Sequence, residues 1–331
     1  MRTGLLLAVL LGAISTCGYG WAQGFVAWLL LRALWGVAWS LFRIGGLTAV
    51  VRCAEPCGQG HAIGLYNGLY RLGSLFGMLL GGLLVAFIGL PALAWAFGLL
   101  SLLGLPLLLF GFNLPAAVDV QPRTTETSGS RFGSRGRSWP VMFTGLVIAL
   151  LIQGIFASTL SALIGHYQGV ELELFGLLLS ATAAAGVLQA LRWAWEPWLA
   201  RRIGRWSDKP QRRLPLLVGA LLLGAASFAP MALSLPLSLW LLVALLALLA
   251  ATALTTLGDA LAAETASRLD AVRFMTRYSI GQDLGAACGP LLAYILFSLT
   301  GGFGWLYASG SLLFALLAGY WWYRSTTGEA A

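Results

Sequence analysis

The sequence predicts an all-α integral membrane protein of about ten transmembrane helices in two bundles. Three observations carry that expectation. The 331 residues are 59% hydrophobic and only 10% charged, with a mean hydropathy of +0.84. Charged residues make up about a quarter of an ordinary soluble domain, and no water-soluble interior hides so much apolar side chain. Apolar runs recur at the length needed to cross a hydrocarbon core of about 30 Å. The basic residues, finally, fall on one side of those runs.

The runs are residues 4–20, 25–47, 62–86, 90–111, 141–163, 173–195, 214–233, 237–257, 277–299 and 303–323. The first follows a single arginine, as a secretory signal does, but the next run starts within a few residues, so it is read as a membrane helix. Of the 20 Lys and Arg, Arg32 and Arg71 lie inside runs. With residue 1 in the cytoplasm, the others all fall at cytoplasmic ends or loops. The outward connections 20–24, 87–90, 164–172, 234–236 and 300–302 contain none, and Glu171 stands there instead. This is the positive-inside pattern, and it places both termini in the cytoplasm. The formal charge of +8 therefore marks topology. No nucleic-acid partner is expected, and the lipid bilayer is the partner of most of the surface. Compact loops and the lack of an organelle signal point to the bacterial inner (plasma) membrane.

The chain divides into an N-terminal bundle of four spans (1–112), a linker (113–139), a C-terminal bundle of six spans (140–324) and a cytoplasmic tail (325–331). The linker "NLPAAVDVQPRTTETSGSRFGSRGRSW" is polar, rich in Ser, Gly and Arg, and has no apolar periodicity, which is the composition of a flexible connection. The halves echo each other. Each runs from a cytoplasmic loop into a glycine-rich outward helix, "GLYNGLYRLGSLFGMLLGG" (64–82) in the first and "SIGQDLGAACG" (279–289) in the second. Glycines about every fourth residue make a groove along one helix face, and in lipid such close backbone approach holds helices together. "SATAAAGVLQA" (180–190) offers a complementary small-residue face. Generic helix packing is the plainer reading of the same glycines. Internal helical repeats are characteristic of secondary transporters.

Chemistry of other kinds finds little support. Cys17, Cys53, Cys57 and Cys288 are scattered, with no second pair near Cys53 and Cys57, so no zinc site or disulfide is expected. His61 and His166 have no neighbours at metal-ligand spacing. The cytoplasmic acids Glu55, Asp208, Asp259, Glu264 and Asp270 are dispersed, and no nucleophile–base set appears. An enzyme would gather such groups at one membrane face. No enzyme, catalytic residue, metal or cofactor is expected.

Three stretches resemble the major facilitator superfamily of transporters, and more loosely its drug–proton antiporter branch. "GRWSDKPQRR" (204–213) is similar to the cytoplasmic loop motif, with Gly204, Asp208, Lys209, Arg212 and Arg213 matching and Gln211 where glycine is usual. "RALWGVAWS" (32–40) resembles the fourth-helix motif, with Arg32 and Gly36 in place and Trp35 where glutamine is common. Gly64, Gly73, Gly77, Gly81 and Gly82 match the antiporter motif of the fifth helix, with Met78 in place of its proline. The resemblance implies helices three to twelve of a twelve-helix fold, hence an N-terminally truncated chain. It further implies that the face of Gly281, Gly285 and Gly289 has lost its partner, the absent second helix. The loop motif implies a conformational latch of a carboxylate and arginines near helix ends, made of Gly204, Asp208, Lys209, Arg212, Arg213 and, near the missing first-half motif, Asp283.

For solute or coupling roles the candidates are Arg32, Arg71, Trp35, Tyr66, Asn67, Tyr70, Gln153 and Gln189, with Trp39 beside them. Arg32 lies about eight residues into its run, perpendicular depth about 12 Å. An arginine there faces a cavity or a partner, serves as a buried hydrogen-bonding group, or snorkels. Arg71 is placed either at the cavity or in a latch with Asp208. The aromatic residues also suit an interface belt or packing. The expected function is secondary active transport of a small solute by alternating access, ion (proton)-coupled and outward in direction. A cationic cavity suits an anionic or neutral solute. The alternatives are a transport-inactive truncated relic or membrane interaction protein, and a ten-helix drug/metabolite-type exporter, against which the long linker and the loop motif count. The oligomeric state is not legible.

Overall fold

A computed structural model describes residues 2–53, 59–110, 135–169, 171–174, 177–207, 212–267, 271–297, 299 and 301–327. The chain forms two compact units, Met1–Glu126 and Thr127–Ala331.

The first unit contains α1 (Arg2–Gly18), α2 (Gly24–Cys53), α3 (Gln59–Ser101) and α4 (Gly104–Phe110). Helix α1 packs on α2, α3 and α4, and α2 on α3. Runs 62–86 and 90–111 are joined through α3, which is bent at Gly89, whose φ of 75° and ψ of 164° are not helical. Glycine reaches that conformation without a Cβ clash, and Pro91, with no N–H to leave unpaired, restarts the helix. The close packing of α1 on α3 depends on Gly98, where a Cβ would collide with Cys17.

The second unit begins with α5 (Arg135–Ile148), a π-helical segment (Ala149–Phe156) and α6 (Ala157–Tyr167), continuous along one axis. Helix α5 starts inside the expected linker, so residues 135–139 are helical; the part of the linker from 113 to 134 lies outside the described residues. The hairpin β1 (Glu171–Leu174) and β2 (Leu177–Ser180) follows, antiparallel with Glu171 opposite Ser180 and Leu174 opposite Leu177. The fold is helical as expected, and this hairpin of two four-residue strands is an addition at the start of predicted run 173–195. Its residues "ELEL" alternate polar and apolar with the two-residue period of a strand. Then come α7 (Ala181–Ser207), α8 (Arg213–Met231), α9 (Leu237–Ser267), α10 (Ala271–Phe297) and α11 (Gly302–Thr326).

Among the described residues, seven helical stretches are long and apolar enough to cross a membrane, where the sequence predicts about ten spans. The difference has local causes. Runs 62–86 and 90–111 count as one bent stretch, α1 has only 17 residues, and α7 carries Arg192, Glu196, Arg201, Arg202 and Arg205. Seven such helices make the chain an integral membrane protein.

The core of the second unit is aromatic. Phe228 lies 5.8 Å from Phe156, 5.4 Å from Tyr307 and 5.1 Å from Phe314, centroid to centroid. Two buried tryptophans have their polar ends satisfied: Trp240 Nε1 donates to the Met231 carbonyl at 3.1 Å and Trp321 Nε1 to Thr144 Oγ1 at 3.0 Å, as apolar surroundings require.

The π segment lies where α10 presses closest. The Ala157 N–H reaches back five residues to the Ile152 carbonyl, and the hydroxyls of Ser158 and Thr159 bond the Gly154 and Ile155 carbonyls at 2.6 and 2.9 Å. A Cβ on Gly154 would lie 2.7 Å from the Gly289 Cα, and one on Gly285 would strike the Leu146 carbonyl. The glycine face of α10 therefore has its partner inside this unit, in α5 and the π segment. That corrects the expectation of a lost partner. The small residues are used for backbone contact with the span that opens the same half.

Candidate functional site

The exposed face of α2 brings several predicted residues together. Arg32, Trp35 and Trp39 recur at helical spacing and point the same way. The Arg32 guanidinium carbon sits 5.7 Å from the Trp35 ring centroid, within cation–π range. Trp35 and Trp39 are stacked, with centroids 5.7 Å apart and planes 6° from parallel. Trp39 in turn meets Tyr70 of α3 at 5.4 Å. The result is an aromatic ladder with a cation at one end, bridging two helices. Trp35 is 37% exposed and Tyr70 43%, and Arg32 is exposed as well.

An arginine this far into an apolar helix is poorly placed against lipid. The ladder offers flat apolar faces, a phenol and one fixed positive charge, the equipment to hold a small solute with an anionic or polar group and an apolar body. Tyr66, Asn67 and Arg71 share α3 with Tyr70, and Gly64 and Gly82 lie on the same helix; the side chains of Tyr66, Asn67 and Arg71 are outside the described part. Gly73 and Gly77 have open space beside them, and Gly81 would place a Cβ 3.6 Å from Phe97.

The two glutamines separate. Gln153, on the π segment, is exposed. Gln189 is buried in the second unit, 5% exposed, so it is not surface lining within that unit.

Of the predicted latch, Asp208 and Lys209 lie outside the described residues. Gly204 occupies the last turn of α7 with nothing near its Cα, Arg212 is exposed, and Asp283 is exposed on α10. Arg213 has a defined partner: its Nη1 lies 2.6 Å from Glu264 Oε2 and donates to the Ala260 carbonyl at 3.2 Å. The pair ties the start of α8 to the end of α9. Beside it on α9, Asp259 accepts from the Tyr278 hydroxyl and from Gln282 Nε2, both at 3.1 Å. Glycine makes the room, since a Cβ at Gly145 would overlap the Tyr278 ring. Sequence reasoning treated Asp259 and Glu264 as dispersed acids. The fold brings them to one end of the bundle with Arg213, Tyr278 and Gln282.

The sequence reading also passed over Arg192 and Glu196. Both are 5% exposed in the second unit, with Arg192 Nε 3.8 Å from Glu196 Oε2. The available signal was the four-residue spacing in "LRWAWEPW", which puts two charges on one helix face. Arg192 falls near the cytoplasmic end of the predicted run 173–195 and Glu196 just beyond it, whereas α7 runs on to Ser207.

The sequence profile described as the Major Facilitator Superfamily matches residues 2–206 and 199–331. An uncharacterized MFS-type transporter, YE1530 of Yersinia enterocolitica, is 25% identical over 209 residues, covering 63% of this chain and 50% of that protein. The chain thus spans about half the length of the curated relative it matches. Among solved structures, a bacterial homologue of the human lysosomal transporter Spinster, inward-facing and occupied, superposes with a TM-score of 0.72 at 16% identity, covering 98% of this chain and 82% of that one. A POT family transporter in complex with a thioalcohol-conjugated peptide gives 0.75 at 12% identity, with the same coverage. The human organic anion transporter MFSD10 (TETRAN) gives 0.61 at 20% identity, covering 97% and 76%. With the profile matched along both halves, the chain belongs to the Major Facilitator Superfamily, a family of membrane transporters and not of enzymes.

Proposed function

We infer that the protein is a secondary active transporter that moves a small anionic or neutral solute by alternating access, with ten spans in two bundles (1–112 and 140–324). The observation that carries this reading is the ladder of Arg32, Trp35, Trp39 and Tyr70, a cation and stacked rings exposed from an otherwise apolar bundle. Arg71, Tyr66 and Asn67 extend the polar inventory of the first unit, and Gln153 is a further candidate in the second. The glycine pattern of α3 supports the drug–proton antiporter branch, and with it proton-coupled efflux. The distribution of Lys and Arg supports a bacterial inner-membrane setting with both termini in the cytoplasm. The Arg213–Glu264 pair and the Asp259–Tyr278–Gln282 network serve as the latch that opens and re-forms between access states, with Asp208, Lys209, Arg212 and Asp283 around it.

The test is transport by the full chain reconstituted in lipid vesicles, with a pH gradient imposed and a panel of labelled anionic, neutral and cationic solutes. The expected outcome is gradient-driven movement of an anionic or neutral member. Arg32→Ala should slow it about tenfold or more, because a hydrogen bond to a charged group contributes about 1.5–3 kcal/mol. Unchanged transport of every anionic solute in both Arg32→Ala and Arg71→Ala would remove the anion reading.

A further inference from the structure

We propose that Gln189, Arg192 and Glu196 form a proton-carrying site inside the second unit, with Glu196 the group that takes up and releases the proton. The proposal rests on the coupled-transporter reading above and assigns its coupling step to residues outside the Arg32 ladder.

Four observations meet on α7. Residues 189, 192 and 196 recur at spacings of three and four, so their side chains share one face. That face is turned inward: all three residues are 5% exposed, and the two charges lie 3.8 Å apart. The depth is fixed by the residue between them. Trp195 Nε1 donates to Thr252 Oγ1 at 3.2 Å, and Thr252 is near the middle of α9, which spans Leu237–Ser267. The pair is therefore at the centre of the bundle and not at its rim. Polarity extends beyond the pair, too. Gln189 Nε2 is buried with no hydrogen-bond partner among the described residues, a state that calls for an acceptor such as water. Pro197, directly after Glu196, has no N–H to give the Trp193 carbonyl, so the regular helical hydrogen bond is missing in the same turn.

An ion pair at that depth contributes little net stability, because desolvation offsets its attraction. Ionisable groups inside membrane bundles mark proton and ion pathways. The step is simple to balance. A hydronium ion gives its proton to a Glu196 carboxylate oxygen, an O–H bond forms, and water leaves. The cluster passes from neutral to a single positive charge on Arg192, in a low-dielectric interior. That state favours rearrangement towards hydration of Arg192 or pairing with another anion. Return of the proton to water on the other side restores the pair. Other titratable groups on the elements packed against α7 lie towards their ends. Asp259 and Glu264 are about two and three turns beyond Thr252 on α9, Arg213 opens α8, His166 and Tyr167 close α6, and Glu171 and Glu173 belong to β1.

The experiment is infrared titration of the full chain in lipid nanodiscs, following the C=O stretch of protonated carboxyl groups, in the wild type and in Glu196→Gln. The expected result is a carboxyl component that grows on acidification in the wild type and is missing in Glu196→Gln, read as the difference between the two spectra because the other carboxyl groups titrate in both. A purely structural pair stays ionised throughout and shows no such band. The double variant Arg192→Gln/Glu196→Gln, lacking both charges, guards against misfolding and must also lack the band. A difference spectrum with no Glu196-dependent component overturns the proposal and leaves the transporter reading to the vesicle assay. A Glu196-dependent band in a protein that moves no solute sustains the proton site and counts against transport instead.

Discussion

Alanine at Gly289 is expected to disrupt the second unit, while alanine at Gly281 on the same helix face is expected to be tolerated. A Cβ on Gly289 would lie 2.6 Å from the Gly154 carbonyl carbon and 2.7 Å from the Ile155 nitrogen, all backbone. Side chains yield to such intrusions by changing rotamer, but two helix backbones must separate. Overpacking by a single methyl group costs about 1–3 kcal/mol in well-packed interiors, and separating α10 from the π segment falls at or above the top of that range. Gly281 differs because its nearest neighbour, the Met142 carbonyl, lies 3.9 Å from an added Cβ, an ordinary contact. There the helical preference for alanine over glycine, about 0.5–1 kcal/mol, goes unopposed. Thermal unfolding of the two variants in detergent, followed by monodisperse elution, reads the contrast. Equal stability of both variants would contradict the close backbone contact.

The second large effect is expected at the buried pair. Glu196→Ala leaves Arg192, 5% exposed, without its carboxylate 3.8 Å away. Breaking a buried pair from one side costs about 3–5 kcal/mol, whereas replacing both charges by apolar residues of similar volume is often neutral or stabilising. Glu196→Ala should therefore unfold at markedly lower temperature than the wild type, and Arg192→Met/Glu196→Leu should recover most of the loss. A double variant as unstable as the single one would show that the charges matter through contacts other than each other.

Much of this was legible in the sequence because lipid imposes simple rules. Length and apolarity are summed over whole segments, so the membrane helices and an interruption at 87–90, where α3 bends at Gly89, could be read without knowing any contact. Arg32, Trp35 and Tyr70 were also accessible, since polar and aromatic groups within apolar runs stand out. Trp39 completes the ladder only because α2 and α3 pack together. What stayed hidden depends on which element faces which. Glu264 and Asp259 look dispersed along α9, and only the approach of α8 and α10 pairs them with Arg213 and Tyr278. Arg192 and Glu196 sit at and just past the end of the predicted run 173–195, but strands β1 and β2 take up the start of that run, so α7 begins at Ala181 and the two charges fall at mid-helix. The partner of Gly285 and Gly289 was sought in an absent helix, although α5 and the π segment supply it. No periodicity announces a π turn.

The central claim is that the Arg32–Trp35–Trp39–Tyr70 face lines a water-filled path and does not face lipid. The most direct measurement is labelling of single cysteines by a membrane-impermeant thiol reagent in intact vesicles, with Cys17, Cys53, Cys57 and Cys288 replaced by serine. Trp35→Cys and Trp39→Cys are predicted to react readily. Leu30→Cys and Val37→Cys, exposed positions on the opposite side of α2 at 100° per residue, are predicted to stay unmodified. Labelling of the leucine and valine positions with protection of the two tryptophan positions would place lipid against the ladder and contradict the account.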